Sequence, residues 1–304
     1  MHTSLVRRTL VALVAIPLMF TAACGGGGGK VVIVGQKFTE ADIMTQLYKA
    51  VLDNAGYDTS VKNLGARDIY LSPLMKGDVT ISADYLSSMT EALNRKANGD
   101  SAPKVASADE QATLTQLNKL AKKDGLTALE PAKAEDANAF AVTQKFAQDN
   151  HLTTLSDLGA SGLSVKLGGN SDCPQRADCQ KGLEDTYGIK VSGFEPTGFG
   201  SQATKDDLVH GVTQIGSVGT TDATLDKLGL VILADDKHLQ NAENLVPIVN
   251  SDWLKDNAKA KKALDKLSAV LTTADLTAMI GKVDLDRQKA ADVAKAYLKD
   301  KGLI

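Results

Sequence analysis

The sequence lacks the short motifs by which common hydrolases and nucleotide-binding enzymes are recognised. It contains no G-x-S-x-G nucleophile elbow, no P-loop and no H-E-x-x-H zinc helix. Histidine is scarce, and none of His151, His210 and His238 stands at metal-ligand spacing. These absences argue against an enzyme and against a zinc site, so we expect neither a cofactor nor a metal.

The sequence also lacks a strong charge of either sign and a second long apolar run. The formal net charge of −3 is small and well distributed, which gives no reason to expect nucleic acid as a partner. The one long apolar run, residues 10–20, follows Arg7 and Arg8 and is too short to remain in a bilayer. Small residues come next, and this order predicts an export signal over residues 1–23.

Cys24, directly after these small residues, resembles the lipidated cysteine of a bacterial lipobox, although Thr21 stands where an aliphatic residue is usual. The alternative is an ordinary secretory signal with a chance cysteine. Five glycines follow, so we expect residues 24–29 to form a lipidated cysteine with a flexible tether. The predicted location is the extracytoplasmic face of the cell membrane.

Beyond Cys24 only two cysteines remain, Cys173 and Cys179 in the stretch CPQRADC. A metal site would need further ligands, and a redox pair more typically has the spacing C-x-x-C. In an exported protein, a disulfide is the simplest interpretation. We therefore expect a disulfide that makes this loop rigid.

Apolar runs alternate with helical patterns along the chain and predict an α/β fold with mostly parallel sheets. A helix is expected from Thr39, another around residues 114–120, and three helical segments after Asp252 with breaks near Thr272 and Asp284. No internal repeat is visible. The predicted strands are residues 30–35, 79–85, 138–144, 163–169, 212–218, 230–234 and 245–249.

Several stretches resemble one known family. They are QKFTEADIMTQLYKAVLDNAGY, NLGARDIYLSPLMKGDVTISADY, LEPAKAEDANAFAVT, CPQRADCQKGLEDTYGI, GSVGTTD and LVILADDKHLQNAENLVPIV. In order and in register, they are similar to the substrate-binding proteins of glycine betaine, choline and carnitine ABC importers. The resemblance covers essentially all of the mature chain.

The resemblance implies a two-lobed, type II periplasmic-binding-protein fold, the Venus flytrap, with a ligand cleft between the lobes. Lobe one would contain residues 30–136 and 239–304, and lobe two residues 137–238. The implied function is that of a monomeric extracytoplasmic lipoprotein that captures a quaternary ammonium osmolyte and delivers it to an ABC permease with its ATPase.

A betaine needs aromatic faces for its cation and a planar donor for its carboxylate. The resemblance implies that Arg176 faces the carboxylate and that Tyr85 and Phe140 belong to the aromatic cage. Alternatively, Arg176 is a solvated loop residue and the two aromatic side chains are ordinary core.

The resemblance implies further ligand-binding residues, namely Gln36, Thr39, Arg67, Thr221 and Asp222. Thr39, Thr221 and Asp222 could instead cap helices, and Arg67 could pair with an acid. Family members often carry aromatic residues where this chain has Ser82 and Gly219, and Phe199 could refill part of that space. These departures favour a larger ligand or a different cation.

Three alternatives to this function are open from the sequence. A ligand-sensing lipoprotein could have the same fold without transport, and a binder of a different small zwitterion could have the same cleft. A secreted hydrolase would need a catalytic pair in the cleft, and no motif supports one.

Overall fold

The structure is a computed structural model that describes residues 30–304. The predicted signal peptide, the predicted lipidation site Cys24 and the glycine tether lie outside the described residues. Among the helices within residues 30–304, none has the length and apolar character that a membrane crossing requires.

Lobe one is built on a five-stranded sheet. Its strands are β1 (Val31–Gly35), β2 (Thr59–Asn63), β3 (Ile81–Tyr85), β4 (Leu126–Ala128) and β10 (Leu245–Asn250), in the order β2-β1-β3-β10-β4. Strand β1 pairs in parallel with β2 and β3, whereas β10 runs antiparallel to β3 and β4.

Lobe two repeats this arrangement with a second sheet. Its strands are β5 (Asn138–Thr143), β6 (Ser164–Gly168), β7 (Lys190–Glu195), β8 (Ile215–Gly219) and β9 (Leu230–Leu233), in the order β7-β6-β8-β5-β9. Strand β6 is parallel to β7 and β8, whereas β5 is antiparallel to β8 and β9. The two lobes therefore share one topology, although the sequence shows no repeat.

The expectation of mostly parallel sheets is wrong, because both sheets are mixed. The strands β1 and β3 end at the edge of the sheet where the lobes meet. Strands β10 and β5 enter their sheets from that same edge, since the chain has just crossed from the other lobe. They must therefore run antiparallel to their neighbours.

Within residues 30–304, twelve helices cover the faces of the sheets. They are α1 (Thr39–Asn54), α2 (Arg67–Lys76), α3 (Leu86–Asn98), α4 (Glu110–Lys123), α5 (Gln144–Asp149), α6 (Leu155–Ala160), α7 (Gln180–Tyr187), α8 (Gln202–Val209), α9 (Ser251–Lys255), α10 (Ala258–Val270), α11 (Thr273–Asp284) and α12 (Ala290–Asp300). The breaks predicted near Thr272 and Asp284 are confirmed, and Thr272 caps α11 with its side chain. The C-terminal segments number four rather than three, because α9 ends at Lys255.

Lobe one has three layers, with helices on both faces of its sheet, and this arrangement explains the apolar run of β1. Ile33 packs into a core with α1, α10, α11 and α12, and its neighbour Val34 packs into the opposite core with α2, α3 and α4. Successive side chains of a strand point to opposite faces, so a strand covered on both faces is apolar throughout. Separate cores lie on the two faces of the second sheet.

The two chain segments that connect the lobes lie side by side. Glu135 and Asn244 form an antiparallel bridge, the Asp136 amide donates to the Glu243 carbonyl oxygen at 3.1 Å, and the Leu245 amide donates to the Ala134 carbonyl oxygen at 2.9 Å. The two connecting segments are therefore hydrogen-bonded to each other where the chain passes between the lobes. The boundaries at residues 136 and 238 stay predictions.

Candidate functional site

A cleft of about 970 Å³ opens between the lobes at the ends of β1 and β3. Such crevices outside the carboxyl ends of strands are where α/β proteins bind ligands. The lining comes from both lobes and from the connecting segments, and most of it is polar. It includes Gln36, Phe38, Arg67, Tyr85, Glu91, Arg95, Lys104, Asp136, Asn138, Asp172, Arg176, Asp178, Gln240 and Glu243.

An aromatic surface lies on the lobe-one side of the cleft. Tyr85 is the last residue of β3 and is buried, while Phe38 lies between β1 and α1 with 43% of its surface exposed. The two rings stack with their centroids 6.3 Å apart and their planes at 20°. An exposed aromatic face beside a polar cleft is a site where a cation can bind.

Two carboxyl groups, Glu40 and Asp136, lie near this aromatic surface, and Asp136 lines the cleft. The Tyr85 hydroxyl donates to Glu40 Oε1 at 2.5 Å, and Thr221 Oγ1 donates to Asp136 Oδ1 at 3.0 Å. Burial raises the pKa of Glu40 from 4.5 to about 7, and the charge of Asp136 adds to the rise. Burial also raises the pKa of Asp136. Within residues 30–304, Glu40 Oε2 has no hydrogen-bond partner.

Arg67 lines the cleft, but its guanidinium group is paired with Asp84 inside lobe one. Its Nε and Nη2 atoms donate to Asp84 Oδ1 at 3.0 and 2.6 Å, and Asp84 also accepts from the Tyr70 hydroxyl at 2.8 Å and the Tyr85 amide at 2.8 Å. The Asp84 side chain is 0% exposed. This pair is therefore part of the framework of lobe one.

The loop CPQRADC brings Arg176 to the lobe-two side of the cleft. In the structure, Cys173 and Cys179 form a disulfide across this loop. Arg176 Nε donates to Asp178 Oδ1 at 2.9 Å and Nη2 donates to Asp178 Oδ2 at 2.7 Å, while Nη1 lies 3.8 Å from Asp172 Oδ2. Hydrogen bonding to Asp178 raises the pKa of Arg176, and the same contact lowers the pKa of Asp178.

A small recess of about 20 Å³ lies beside Arg176, with room for a single water molecule. Its walls include Phe140, which is 2% exposed, and Phe199, which is 42% exposed. Ser217 Oγ is buried there without a partner within residues 30–304. A Cβ atom on Gly219 would lie 3.9 Å from Phe199 Cζ, so the Phe199 ring occupies the space beside this glycine.

Comparison with known proteins assigns the chain to a family. Residues 29–300 match the family described as the substrate-binding domain of ABC-type glycine betaine transport systems. The chain belongs to this family. The resemblance found in the sequence is thereby confirmed, and so is the prediction that the protein is a solute-binding protein rather than an enzyme.

Two relatives of this chain are distant in sequence but similar over nearly their whole length. The glycine betaine-binding protein YehZ of Escherichia coli strain K12 is 27% identical over 305 residues, which cover 97% of this chain and 96% of YehZ. The carnitine transport binding protein OpuCC of Listeria monocytogenes is 21% identical, with coverage of 96% and 97%.

The solved structure of apo YehZ from Escherichia coli has the same fold as this family member. It superposes with a TM-score of 0.79 and 23% identity, over 91% of this chain and 100% of that chain. Lactococcal OpuAC in its closed conformation with glycine betaine superposes with a TM-score of 0.53 and 17% identity, over 90% and 97%. The two-lobed type II fold predicted from the sequence is confirmed.

The structure of this substrate-binding protein brings four of the predicted site residues to the cleft, namely Gln36, Arg67, Tyr85 and Arg176. Phe38 was not predicted as a site residue from the sequence, although it lies in the stretch QKFTE. The sequence pattern does not show that this side chain is exposed in the cleft.

The other four predicted site residues lie outside the lining of the main cleft. Thr39 begins α1 and donates to Asp284 Oδ1 at 2.7 Å. Asp222 pairs with Lys205 at 2.9 Å inside lobe two. Thr221 reaches the cleft only through Asp136, and Phe140 belongs to a lobe-two core. Their roles in ligand binding stay predictions.

Proposed function

We propose that this protein captures a quaternary ammonium solute of the betaine, choline or carnitine type and delivers it to an ABC permease and its ATPase. It would act as a monomer, anchored to the outer face of the cell membrane through lipidated Cys24. The observation that carries the proposal is the exposed Phe38 ring, stacked on Tyr85 in the cleft and backed by Glu40 and Asp136.

The chemistry of the cation supports this assignment. A trimethylammonium group cannot donate hydrogen bonds, so it binds to aromatic faces and to negative potential rather than to a single acceptor. The Phe38–Tyr85 surface supplies the faces, and Asp136 in the cleft lining supplies negative charge. A primary amine would instead need acceptors placed to receive its hydrogens.

The lobe-two side of the cleft suits the other end of a betaine. A carboxylate prefers the planar, bidentate donor that arginine provides. Arg176 lies beside Asn138 and Ser217, whose hydroxyl has no hydrogen-bond partner among residues 30–304, and both side chains could add hydrogen bonds. We expect a zwitterion to lie across the cleft, with its cation in lobe one and its carboxylate near Arg176.

Isothermal titration calorimetry on the purified mature protein tests the proposal. Glycine betaine, carnitine and choline form the panel, and glycine and ethanolamine are the matched primary amines. We expect at least one quaternary compound to bind and its primary counterpart not to bind. At a hundredfold excess over the dissociation constant, ligand should stabilise the protein by about 2.7 kcal/mol.

Two variants connect binding to the site. Phe38→Ala should weaken the binding of every quaternary ligand by about 2- to 30-fold, because a cation–π contact contributes about 0.5–2 kcal/mol. Ile69→Ala is the control, since Ile69 is an exposed apolar residue of lobe one outside the cleft lining. No binding across the panel, or equal effects of the two substitutions, would contradict the proposal.

A further inference from the structure

Of the three arginines that line the cleft, Arg67 and Arg176 each pair with an aspartate, and the two pairs differ. Asp84, the partner of Arg67, is fully buried and is also held by the Tyr70 hydroxyl and the Tyr85 amide. The side chains of Arg176 and Asp178 are 36% and 34% exposed, and Arg176 donates both of the side-chain hydrogen bonds described above. The second pair lies at the boundary with solvent, where an incoming ligand can reach it.

Asp178 accepts from Arg176 the same kind of hydrogen bonds that a ligand carboxylate would accept. A carboxylate binds an arginine most strongly through two parallel hydrogen bonds, and Asp178 receives such a pair from Nε and Nη2. The remaining group, Nη1, faces Asp172 at 3.8 Å. A ligand carboxylate that binds Arg176 in this bidentate mode must first displace Asp178.

The backbone of the loop is fixed, so this exchange requires only side-chain movement. The Cys179 amide donates to the Arg176 carbonyl oxygen at 3.2 Å, and Gln240 Nε2 donates to the Asp178 carbonyl oxygen at 2.9 Å. The disulfide between Cys173 and Cys179 closes the same loop. The loop can therefore release the Asp178 carboxylate without unfolding.

We propose that Asp178 is a specificity-determining residue that competes with the ligand carboxylate for Arg176. This inference rests on the proposed function and refines it. A carboxylate-bearing ligand such as glycine betaine must break the Arg176–Asp178 pair. Choline, which has the same cation and no carboxylate, leaves that pair intact. The protein is thereby biased towards cations without a carboxylate.

Asp178→Asn tests the proposal, because asparagine keeps the shape of the side chain and loses its charge. Calorimetry with glycine betaine and choline gives the ratio of the two affinities for each variant. An ion pair that is about one-third exposed contributes up to about 1 kcal/mol, so the ratio should move about fivefold towards glycine betaine. The affinity for choline should stay close to its wild-type value.

Two further variants separate competition from general charge effects. Asp172→Asn removes the same charge from the same loop but leaves the bidentate pair, so it should change the ratio much less. Asp185→Asn removes a charge from an exposed pair with Lys181 on α7 and should leave the ratio unchanged. If Asp178→Asn fails to fold, Asp178→Ser removes the same carboxylate and should give the same change.

The outcomes are distinct. A fall in glycine betaine affinity in Asp178→Asn would show that Asp178 orients Arg176 for the ligand, which overturns the proposal. An unchanged ratio, or an equal change in Asp172→Asn, also overturns it. In these cases the wild-type protein still binds, and the proposed function stands. If neither glycine betaine nor choline binds to the wild-type protein, this inference is wrong, and the proposed function is wrong as well if carnitine also fails to bind.

Discussion

The buried carboxyl group of Glu40 makes the stability of the ligand-free protein depend on pH. Glu40 is 4% exposed, accepts from the Tyr85 hydroxyl and lies near Asp136, and its pKa is raised to about 7. The folded protein holds this proton up to about pH 7, whereas the unfolded chain loses it near pH 4.5. The folded state therefore binds more protons between these values, and the free energy of unfolding falls as pH rises through this window.

The size of the effect follows from the two pKa values. The pKa of Glu40 is 4.5 in the unfolded chain and about 7 in the folded protein. At about 1.4 kcal/mol per pH unit, this difference lowers the free energy of unfolding by about 3 kcal/mol across the window. Glu40→Gln removes the charge and keeps a side-chain oxygen that can accept from Tyr85. We expect this variant to be more stable than the wild-type protein at pH 8 by up to about 3 kcal/mol, and to match it near pH 4.5.

Urea denaturation from pH 4.5 to pH 8.5 measures this difference. Burial also raises the pKa of Glu135 and Glu243, and the comparison of wild type with Glu40→Gln cancels their contributions. The difference between the two profiles reports Glu40 together with its interaction with Asp136. Asp252→Asn, at an 87% exposed side chain, is the control for the loss of one charge. Parallel stability profiles for the wild type and Glu40→Gln would refute the reasoning.

Two further predictions concern the loop and the core of lobe two. Thiol titration of the denatured mature chain with Cys24 replaced should find no free thiol, and replacing Cys173 and Cys179 together by serine should cost roughly 2 kcal/mol of stability in urea. Two reactive thiols in protein from the cell surface would contradict the disulfide. Phe140→Ala should destabilise the protein by about 3–5 kcal/mol and leave the affinity of the folded fraction for choline nearly unchanged, because Phe140 is 2% exposed. A stable Phe140→Ala variant that no longer binds would support the cage interpretation instead.

The strands that the sequence predicted are mostly the buried ones. The run KVVIVG is apolar because β1 is covered on both faces, and it could be read without a structure. Strands β2, β4 and β7 were missed. All three lie at edges of the sheets, and β2 and β7 are only partly buried, while β4 has three residues. An edge strand packs against fewer neighbours, so its sequence carries a weaker apolar pattern.

The site was harder to predict than the fold, because its decisive contacts join distant parts of the chain. Tyr85 and Arg176 could be inferred from motifs that resemble the family. The contact between Tyr85 and Glu40 and the effect of Asp136 on Glu40 could not, since periodicity contains no information about pairs so far apart. The pairing of Arg176 with Asp178 is local, but an arginine two residues before an aspartate predicts no particular geometry.

The contrast between the two ends of the cleft explains how one fold could discriminate among related solutes. At the proposed cation end, the rings of Phe38 and Tyr85 stack, and the Tyr85 hydroxyl is held by buried Glu40. At the opposite end, Arg176 is paired with Asp178, whose side chain is about one-third exposed. Substitution of Phe38 should therefore weaken all quaternary ammonium ligands by a similar factor. Substitution of Asp178 should change only those that carry a carboxylate, which makes that end of the cleft the place where ligand preference is adjusted.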